Sequence, residues 1–166
     1  FALLIAIGSL GFAGYLYFTT SISPRVTNNY PVARVYYDGT AVINTAVLGV
    51  FDFNQKSYDT HNAFNLTSDE YTIPETGFYQ VSAQYSIQAY DGDHFLIYLY
   101  LNSINHTHRF YIAPKDSVAF SVYISDTINA TAGDVISVIY FIYVGTVGVR
   151  AIHEGEPYTF LTIARI

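Results

Sequence analysis

The stretch FYQVSAQYSIQAY, residues 78–90, decides the fold class because apolar and polar side chains alternate along it. One face of an extended chain would carry Tyr79, Val81, Ala83, Tyr85 and Ile87. Glutamines and serines occupy the intervening positions and would form the opposite face. This period of two predicts a long β-strand with one side in a core and the other in water.

The same alternation recurs along most of the chain. In residues 117–125 the predicted inward side chains are Val118, Phe120, Val122 and Ile124. Further strands are predicted at 33–37, 41–53, 70–73, 95–101, 109–112, 135–144, 147–153 and 158–166. Gly-, Pro- and Asp-rich turns separate them, and no stretch after residue 24 has helical periodicity. About ten short strands at regular spacing predict an all-β sandwich or barrel.

Two of the predicted strands, 95–101 and 135–144, are apolar on both faces. A strand with this composition lies in the interior of a sheet or is covered by another element. We therefore expect each to be either a central strand or one that a neighbouring subunit covers.

The composition excludes several classes of function. Hydrophobic residues make up 51% and charged residues 12% of the 166, and tyrosine occurs 17 times. With a formal net charge of -6 and seven basic residues, the chain has no cationic patch for nucleic acid. Because cysteine is absent, disulfides, thiolate nucleophiles and cysteine-ligated zinc are excluded together.

The first 24 residues differ from the rest of the chain in composition, because they include no charged side chain and are mostly apolar. As a helix, residues 1–18 would span about 27 Å, enough to cross the hydrocarbon of a bilayer. We predict a hydrophobic N-terminal α-helix at 1–22 for assembly or membrane anchoring, a linker at 23–30 and a head at 31–166. The predicted assembly or anchor residues are Phe1, Leu3, Leu4, Ile7, Gly8, Leu10, Gly11, Gly14, Tyr15 and Phe18.

Three interpretations of this segment compete: a signal peptide, a transmembrane anchor and a helix buried in the centre of a polymer. The chain starts at Phe1 and contains no methionine, which favours a processed N-terminus over a signal peptide. An apolar helix that starts at phenylalanine resembles the mature N-terminus of type IV pilins. That resemblance implies a filament, and Ile5 is like the archaeal members, because bacterial members carry an acidic residue there.

Three N-x-[ST] triplets begin at Asn65, Asn105 and Asn129, each in a polar stretch. This triplet is the acceptor for N-linked glycans, which occur on surface loops of secreted proteins. We therefore expect the head to lie outside the cell, at a cell or virion surface, with these asparagines as glycosylation sites.

The head resembles a known family in one continuous motif, YTIPETGFYQVS at residues 71–82. Phe53, the pair at 58–59 and Phe64 precede the motif, and the segments 132–134 and 160–163 follow it. In this order they resemble the globular head of complement component 1q and its tumour-necrosis-factor relatives across residues 31–166. The resemblance implies a ten-stranded jelly roll, frequent trimerisation, and binding or structural roles. An apolar segment stands where complement 1q has collagen repeats.

Candidate catalytic and metal-binding groups are few. His106 and His108 would form a two-point metal site on one strand face, and Asp91 and Asp93 are weak candidates for calcium. A polar loop and a hairpin turn explain these residues more simply. The remaining acidic candidates for acid and base roles are Asp69, Glu70, Glu75, Glu154 and Glu156. They lie among turn residues, so we expect no catalytic residue, no metal and no cofactor.

These observations predict a non-enzymatic extracellular structural subunit. In the first hypothesis, it polymerises into a pilus-like surface filament through its apolar N-terminal segment and displays a jelly-roll head. In the alternative, it is a membrane-anchored virion or cell-surface spike with a trimeric head that binds a receptor or carbohydrate. The expected partners are copies of itself, a membrane through residues 1–18, N-linked glycans and a cell-surface receptor or carbohydrate. A hydrolase is the least favoured alternative.

Overall fold

The computed structural model describes residues 30–40, 42–44, 46–114, 119–143 and 149–166. Within them the chain forms thirteen β-strands and no helix, so the expected ten strands are an undercount. The strands are β1 Val32–Tyr36, β2 Val42–Asn44, β3 Leu48–Val50, β4 Gln55–Asp59, β5 Phe64–Asn65, β6 Glu70–Thr72, β7 Gly77–Ile87, β8 His94–Leu101, β9 Ile104–Ile112, β10 Phe120–Ala130, β11 Val135–Tyr143, β12 Val149–Ala151 and β13 Phe160–Arg165. The predicted helix at 1–22 lies outside the described residues, as does the linker apart from Tyr30. In the part that is described, no helix meets the length and hydropathy of a membrane span.

The strands form two antiparallel sheets and a small third one. The first sheet has the order β10-β7-β13-β1-β4. The second has the order β5-β6-β11-β8-β9, with β3 also paired to β11, and β2 pairs with β12 apart from both. Most neighbours within a sheet are distant in sequence, which is the arrangement of a jelly roll, and the inner faces of the two sheets enclose one core.

Strand β7 organises the first sheet, as its alternation predicts. It pairs with β10 along its whole length and with β13 on the other side. The five side chains predicted to face inward are all fully buried. Tyr85 lies at the centre of the core, where its ring stacks 5.4 Å from that of Phe51 and its hydroxyl donates to the Leu96 carbonyl at 3.3 Å. The inward face of β7 is therefore confirmed.

The strand predicted at 41–53 is wrong as a single element. It divides into β2, which pairs with β12, and β3, which pairs with β11 of the second sheet. Between them Ala46 has a φ of 64°, and its N–H donates to the Ile142 carbonyl at 2.6 Å. An uninterrupted strand excludes this left-handed conformation, so the chain changes sheets here. The one glycine of this run, Gly49, lies inside β3 and does not mark the break at Ala46.

Strands β4 and β5 were not predicted because their sequences are mostly polar. Strand β4 is the edge of the first sheet, where polar side chains reach water. The Asp59 carboxylate at its end accepts the N–H groups of Ala63 and Phe64 and an ammonium proton of Lys56, all within 3.0 Å. Burial raises the pKa of Asp59, but these hydrogen bonds outweigh it and hold the pKa below its usual value. This carboxylate fixes the turn that joins the two strands.

Candidate interaction surfaces

The outward side of the first sheet carries rows of side chains in register across β10, β7, β13 and β1. We call it the first-sheet face, and it comprises Arg34, Tyr36, Phe78, Gln80, Ser82, Gln84, Tyr123, Ser125, Phe160 and Thr162. Gln80 donates to the Ser125 hydroxyl at 2.7 Å, and the Ser82 and Ser125 hydroxyls lie 3.2 Å apart. These bonds hold the polar centre of the face in a fixed arrangement between exposed aromatic rings.

Arg34 is the one charged residue of the first-sheet face, and its charge is compensated. Its guanidinium lies 4.2 Å from the centre of the Phe160 ring and donates to Glu156 at 2.8 Å. A hydrogen bond from Ser57, followed by the bond from Arg34, holds the pKa of the Glu156 carboxyl below its usual value. The face thus presents aromatic rings, neutral polar groups and one paired arginine, a composition common at protein interfaces.

The outward side of the second sheet is different, because its strands β3, β11, β8 and β9 carry no Asp, Glu, Lys or Arg there, and Glu70 lies beside them on β6. We call it the second-sheet face, and it comprises Leu48, Val50, His94, Leu96, Tyr98, Tyr100, His108, Phe110, Ile112, Ser137, Ile139, Phe141 and Tyr143. These residues lie on β3, β11, β8 and β9. Strands β8 and β11 are both interior strands of this sheet, which confirms one of the two outcomes expected for strands that are apolar on both faces.

The aromatic rings of the second-sheet face pack against one another. His94 lies 5.3 Å from Phe110 and 5.9 Å from Tyr143, measured between ring centres. Tyr98 similarly lies 6.0 Å from Tyr100 and 5.7 Å from His108. Phe110 and Tyr143 nevertheless remain 52% and 55% exposed. The face is therefore ordered by its own contacts while much of its apolar surface stays in water.

Asp93, one of the two predicted calcium ligands, forms a buried ion pair with Arg150. Arg150 and Asp93 are 7% and 2% exposed, and two guanidinium nitrogens donate to the two carboxylate oxygens at 2.7 and 3.0 Å. The Tyr90 N–H donates to the same carboxylate at 2.9 Å, and its ring lies 4.5 Å from the guanidinium. Asp93 thus uses both oxygens within the protein, and Asp91 stays exposed in the predicted turn.

The other candidate chemical groups serve separate structural contacts. Glu75 pairs with Arg165, and Glu156 pairs with Arg34. The two histidines of the predicted metal site have different neighbours. His106 Nε2 lies 3.7 Å from Asp126 Oδ2, whereas the ring of His108 packs on that of Tyr98. Among the described residues, no group of three His, Cys, Asp or Glu side chains is arranged to hold a metal ion.

A cavity of about 170 Å³ lies beside the small sheet, lined by apolar and aromatic side chains that include Tyr37, Phe51 and Tyr140. Pockets for drug-sized ligands are usually larger, about 300 to 1,000 Å³. A second depression, of about 510 Å³, is lined by residues 39–40, 42 and 151–154, but it is open to solvent and is not an enclosed pocket. The broad sheet faces are therefore the stronger candidates for recognition.

Asp69 is the acidic side chain with the most altered ionisation. Burial, followed by the nearby charges of Asp52 and Glu70, raises its pKa from 3.8 to about 6, although the Phe53 N–H donates to it at 3.0 Å. Because the fold raises this pKa, ionising Asp69 opposes folding. The resulting loss of stability is absent below about pH 4 and complete above about pH 6.

We expect Asp69→Asn to raise the free energy of unfolding at pH 7 by an amount on the order of 1 kcal/mol, after allowance for partial exposure. Asparagine keeps the oxygen that accepts from Phe53 and tolerates the φ of 56° found here. Urea denaturation at pH 7 and at pH 4 measures the effect, which should vanish at pH 4. An equal gain at both pH values would contradict the assignment, and Asp91→Asn, in an exposed turn, is the control.

The three predicted glycosylation sites are exposed, at Asn65 on β5, Asn105 on β9 and Asn129 on β10. The side-chain oxygen of Asn65 accepts the Thr67 N–H at 2.8 Å. The predicted assembly residues from Phe1 to Phe18 lie outside the described residues. Sequence reasoning missed the pair of Arg150 with Asp93, because 57 positions separate the two residues and neither has a distinctive local pattern.

Comparison with known proteins identifies the fold. No family model and no curated protein matches the sequence. The chain is similar in structure to the Eiger TNF of S. frugiperda, with a TM-score of 0.63, 12% identity, and coverage of 82% of this chain and 92% of that one. For the globular domain of zebrafish complement 1qA the TM-score is 0.61 and the identity 15%, with coverage of 82% of this chain and 97% of that one. For murine APRIL the TM-score is 0.61 and the identity 13%, with coverage of 82% of this chain and 99% of that one. The described head therefore has the jelly-roll fold of these proteins.

Proposed function

We propose, on the premise that the head has the jelly-roll fold of complement 1q and tumour-necrosis-factor domains, that the chain is a non-enzymatic extracellular recognition protein. Its heads assemble as homotrimers and bind a receptor or carbohydrate on another surface. The observation that supports this most is the extent of the likeness, which spans 92 to 99% of the length of each compared domain. The trimeric state is what the resemblance of residues 71–82 implies.

The first-sheet face is the surface through which we propose that the heads meet. Three copies around a threefold axis need a heterologous contact, in which one patch of each copy meets a different patch of the next. Tyr123 and Phe78 are exposed at one margin of this face, and Tyr36 and Phe160 lie nearer the other. Rings at the margins with neutral hydrogen-bonding groups between them supply two unlike patches without introducing an unpaired charge.

The test is the mass of the assembled full chain, measured by native mass spectrometry in a neutral detergent. We expect three chains for the native protein and one chain for Phe78→Lys/Tyr123→Lys, because lysines would bring unpaired charge into the contact. Leu66→Lys, at an exposed turn away from the face, is the control and should remain trimeric. A native protein of one chain, or a double variant that stays trimeric, would overturn this arrangement.

The pilus-like filament depends on residues 1–22, which lie outside the described residues, and it remains a prediction from the sequence. The comparisons favour the trimeric head that was the alternative. Glycans at the three sequons also remain a proposal. A sugar at Asn129 on β10 would lie beside Phe78, inside the proposed contact, and would oppose it. Asn105 on β9 and Asn65 on β5 belong to the two edge strands of the second sheet, so sugars there would project from that sheet.

A further inference from the structure

The proposed trimer leaves the second-sheet face uncovered, since the two faces lie on opposite sides of the sandwich. Leu48, Phe110, Ile112 and Tyr143 are each more than half exposed there. Soluble proteins that exist alone seldom expose continuous apolar patches larger than a few hundred square ångströms, and such patches usually mark interaction sites. The described part of the chain contains no element that covers this face.

We infer that the second-sheet face binds the second-sheet face of another copy of this chain. Charge favours a second copy as the occupant. The chain has a net charge of -6, so two copies repel each other wherever carboxylates meet. None of the residues of the second-sheet face has a carboxylate, and the nearest one in the sheet, Glu70, lies at its margin on β6 beside Ser137. Two copies can therefore meet over most of this face without placing carboxylates opposite each other.

The shape of the face also suits a copy of itself. Two sheets that pack face to face lie about 10 Å apart with their side chains interdigitated, as the two sheets within this head do. A twofold axis would place the same patch on both partners, so that each aromatic row meets its own equivalent. The ring contacts of His94 and of Tyr98 already hold these side chains in place, which lowers the entropy lost on binding.

The area is sufficient for a reversible contact. Three strands of about eight residues and the three-residue β3, about 4.8 Å apart with 3.3 Å per residue, give a face of about 430 Å². Two copies would bury about 860 Å² in total, which is below the range of stable protein interfaces and within that of weak, transient ones. A trimer that offers three such faces would link through them into larger assemblies. The pairing goes beyond the proposed function, and it would hold equally for a head that does not trimerise.

Cross-linking tests the pairing, because the chain has no cysteine of its own. Single cysteines are introduced at Leu96, Tyr98 or Phe141, near the middle of the face, and at Leu66 as the control. Each full-length variant is treated with a short bismaleimide in the material as produced, before any detergent is added. We expect cross-linked pairs of chains from at least one central position and none from the control. A heterologous trimer contact does not bring a residue on the opposite face to its own equivalent, so failure of either proposal is recognisable.

For the second measurement, the double substitution Phe110→Lys/Leu48→Lys is added to each cysteine variant, and the cross-linking is repeated. Both sites are exposed, so the fold should tolerate the change, and we expect the cross-linked fraction to fall at least fivefold. Mass spectrometry of the cross-linked peptides identifies the partner. Absence of pairs from all three central cysteines would overturn the inference, as would a cross-linked fraction that the double lysine variant leaves unchanged. In a further set of variants, a second cysteine at Leu10 is combined with each cysteine of the face. Cross-links from the face to Leu10, in place of cross-links between two faces, would also overturn the inference.

Discussion

Arg150→Met is expected to lower the free energy of unfolding by about 3 to 5 kcal/mol. The substitution removes the guanidinium that bonds both carboxylate oxygens of Asp93, which is 2% exposed. The buried carboxylate would keep its bond from the Tyr90 N–H but lose the charge that compensates it. A buried charge without a partner is one of the most destabilising changes a single substitution produces. Urea denaturation at pH 7 measures the loss.

Two control variants separate charge from packing. Asp93→Asn/Arg150→Met removes both charges and keeps an oxygen for the Tyr90 N–H, so it should be clearly more stable than the single variant. Arg34→Met breaks an ion pair that is partly exposed, and it should cost about 1 kcal/mol or less. If the single and double variants at the buried pair are equally unstable, the loss comes from packing and the electrostatic explanation fails.

Tyr85→Ala is expected to have a comparable effect, a loss of about 3 to 5 kcal/mol. The Tyr85 ring stacks on Phe51, and its hydroxyl reaches the Leu96 carbonyl of the opposite sheet. Removing the ring would leave a cavity between the two sheets. The packing of the sheets against each other, and with it the position of the two outer faces, depends on this ring. Thermal unfolding followed by circular dichroism measures the loss, as a melting temperature lower by about 10 °C.

Tyr85→Phe is the matched variant because it removes the hydroxyl alone. The bond to the Leu96 carbonyl is long at 3.3 Å, so we expect a loss of about 1 kcal/mol or less. A loss as large as that of the alanine variant would mean that the hydrogen bond, and not the ring, joins the sheets.

The parts of the fold that the sequence predicts well are those where a local pattern reflects burial. The alternation along β7 places Tyr79 and Ile87 correctly because one side of that strand faces the core along its whole length. The break at Ala46 and the edge strand β4 follow from contacts between distant segments, such as the bond from Ala46 to Ile142. A window of a few residues contains no trace of such contacts.

The candidate surfaces were predictable to a similar degree. Strands that are apolar on both sides indicated that β8 and β11 have a second apolar face, which the structure places on the outside of the second sheet. The sequence could not indicate that β3 and β9 extend this face, because their pairing depends on the whole topology. The sequence also could not distinguish a turn from a calcium site at residues 91–93. The arginine that pairs with the Asp93 carboxylate, Arg150, lies in a distant part of the chain.

The second-sheet face has a consequence for handling the molecule. A head with one largely aromatic and apolar side, and with most of its acidic groups elsewhere, behaves as a two-sided particle at any boundary between water and a less polar phase. At an air–water surface it would lie with the aromatic side upward, and films of it on a microscope grid would show mainly one view. Tilting the grid, or adding a mild surfactant that competes for the boundary, would recover the missing orientations.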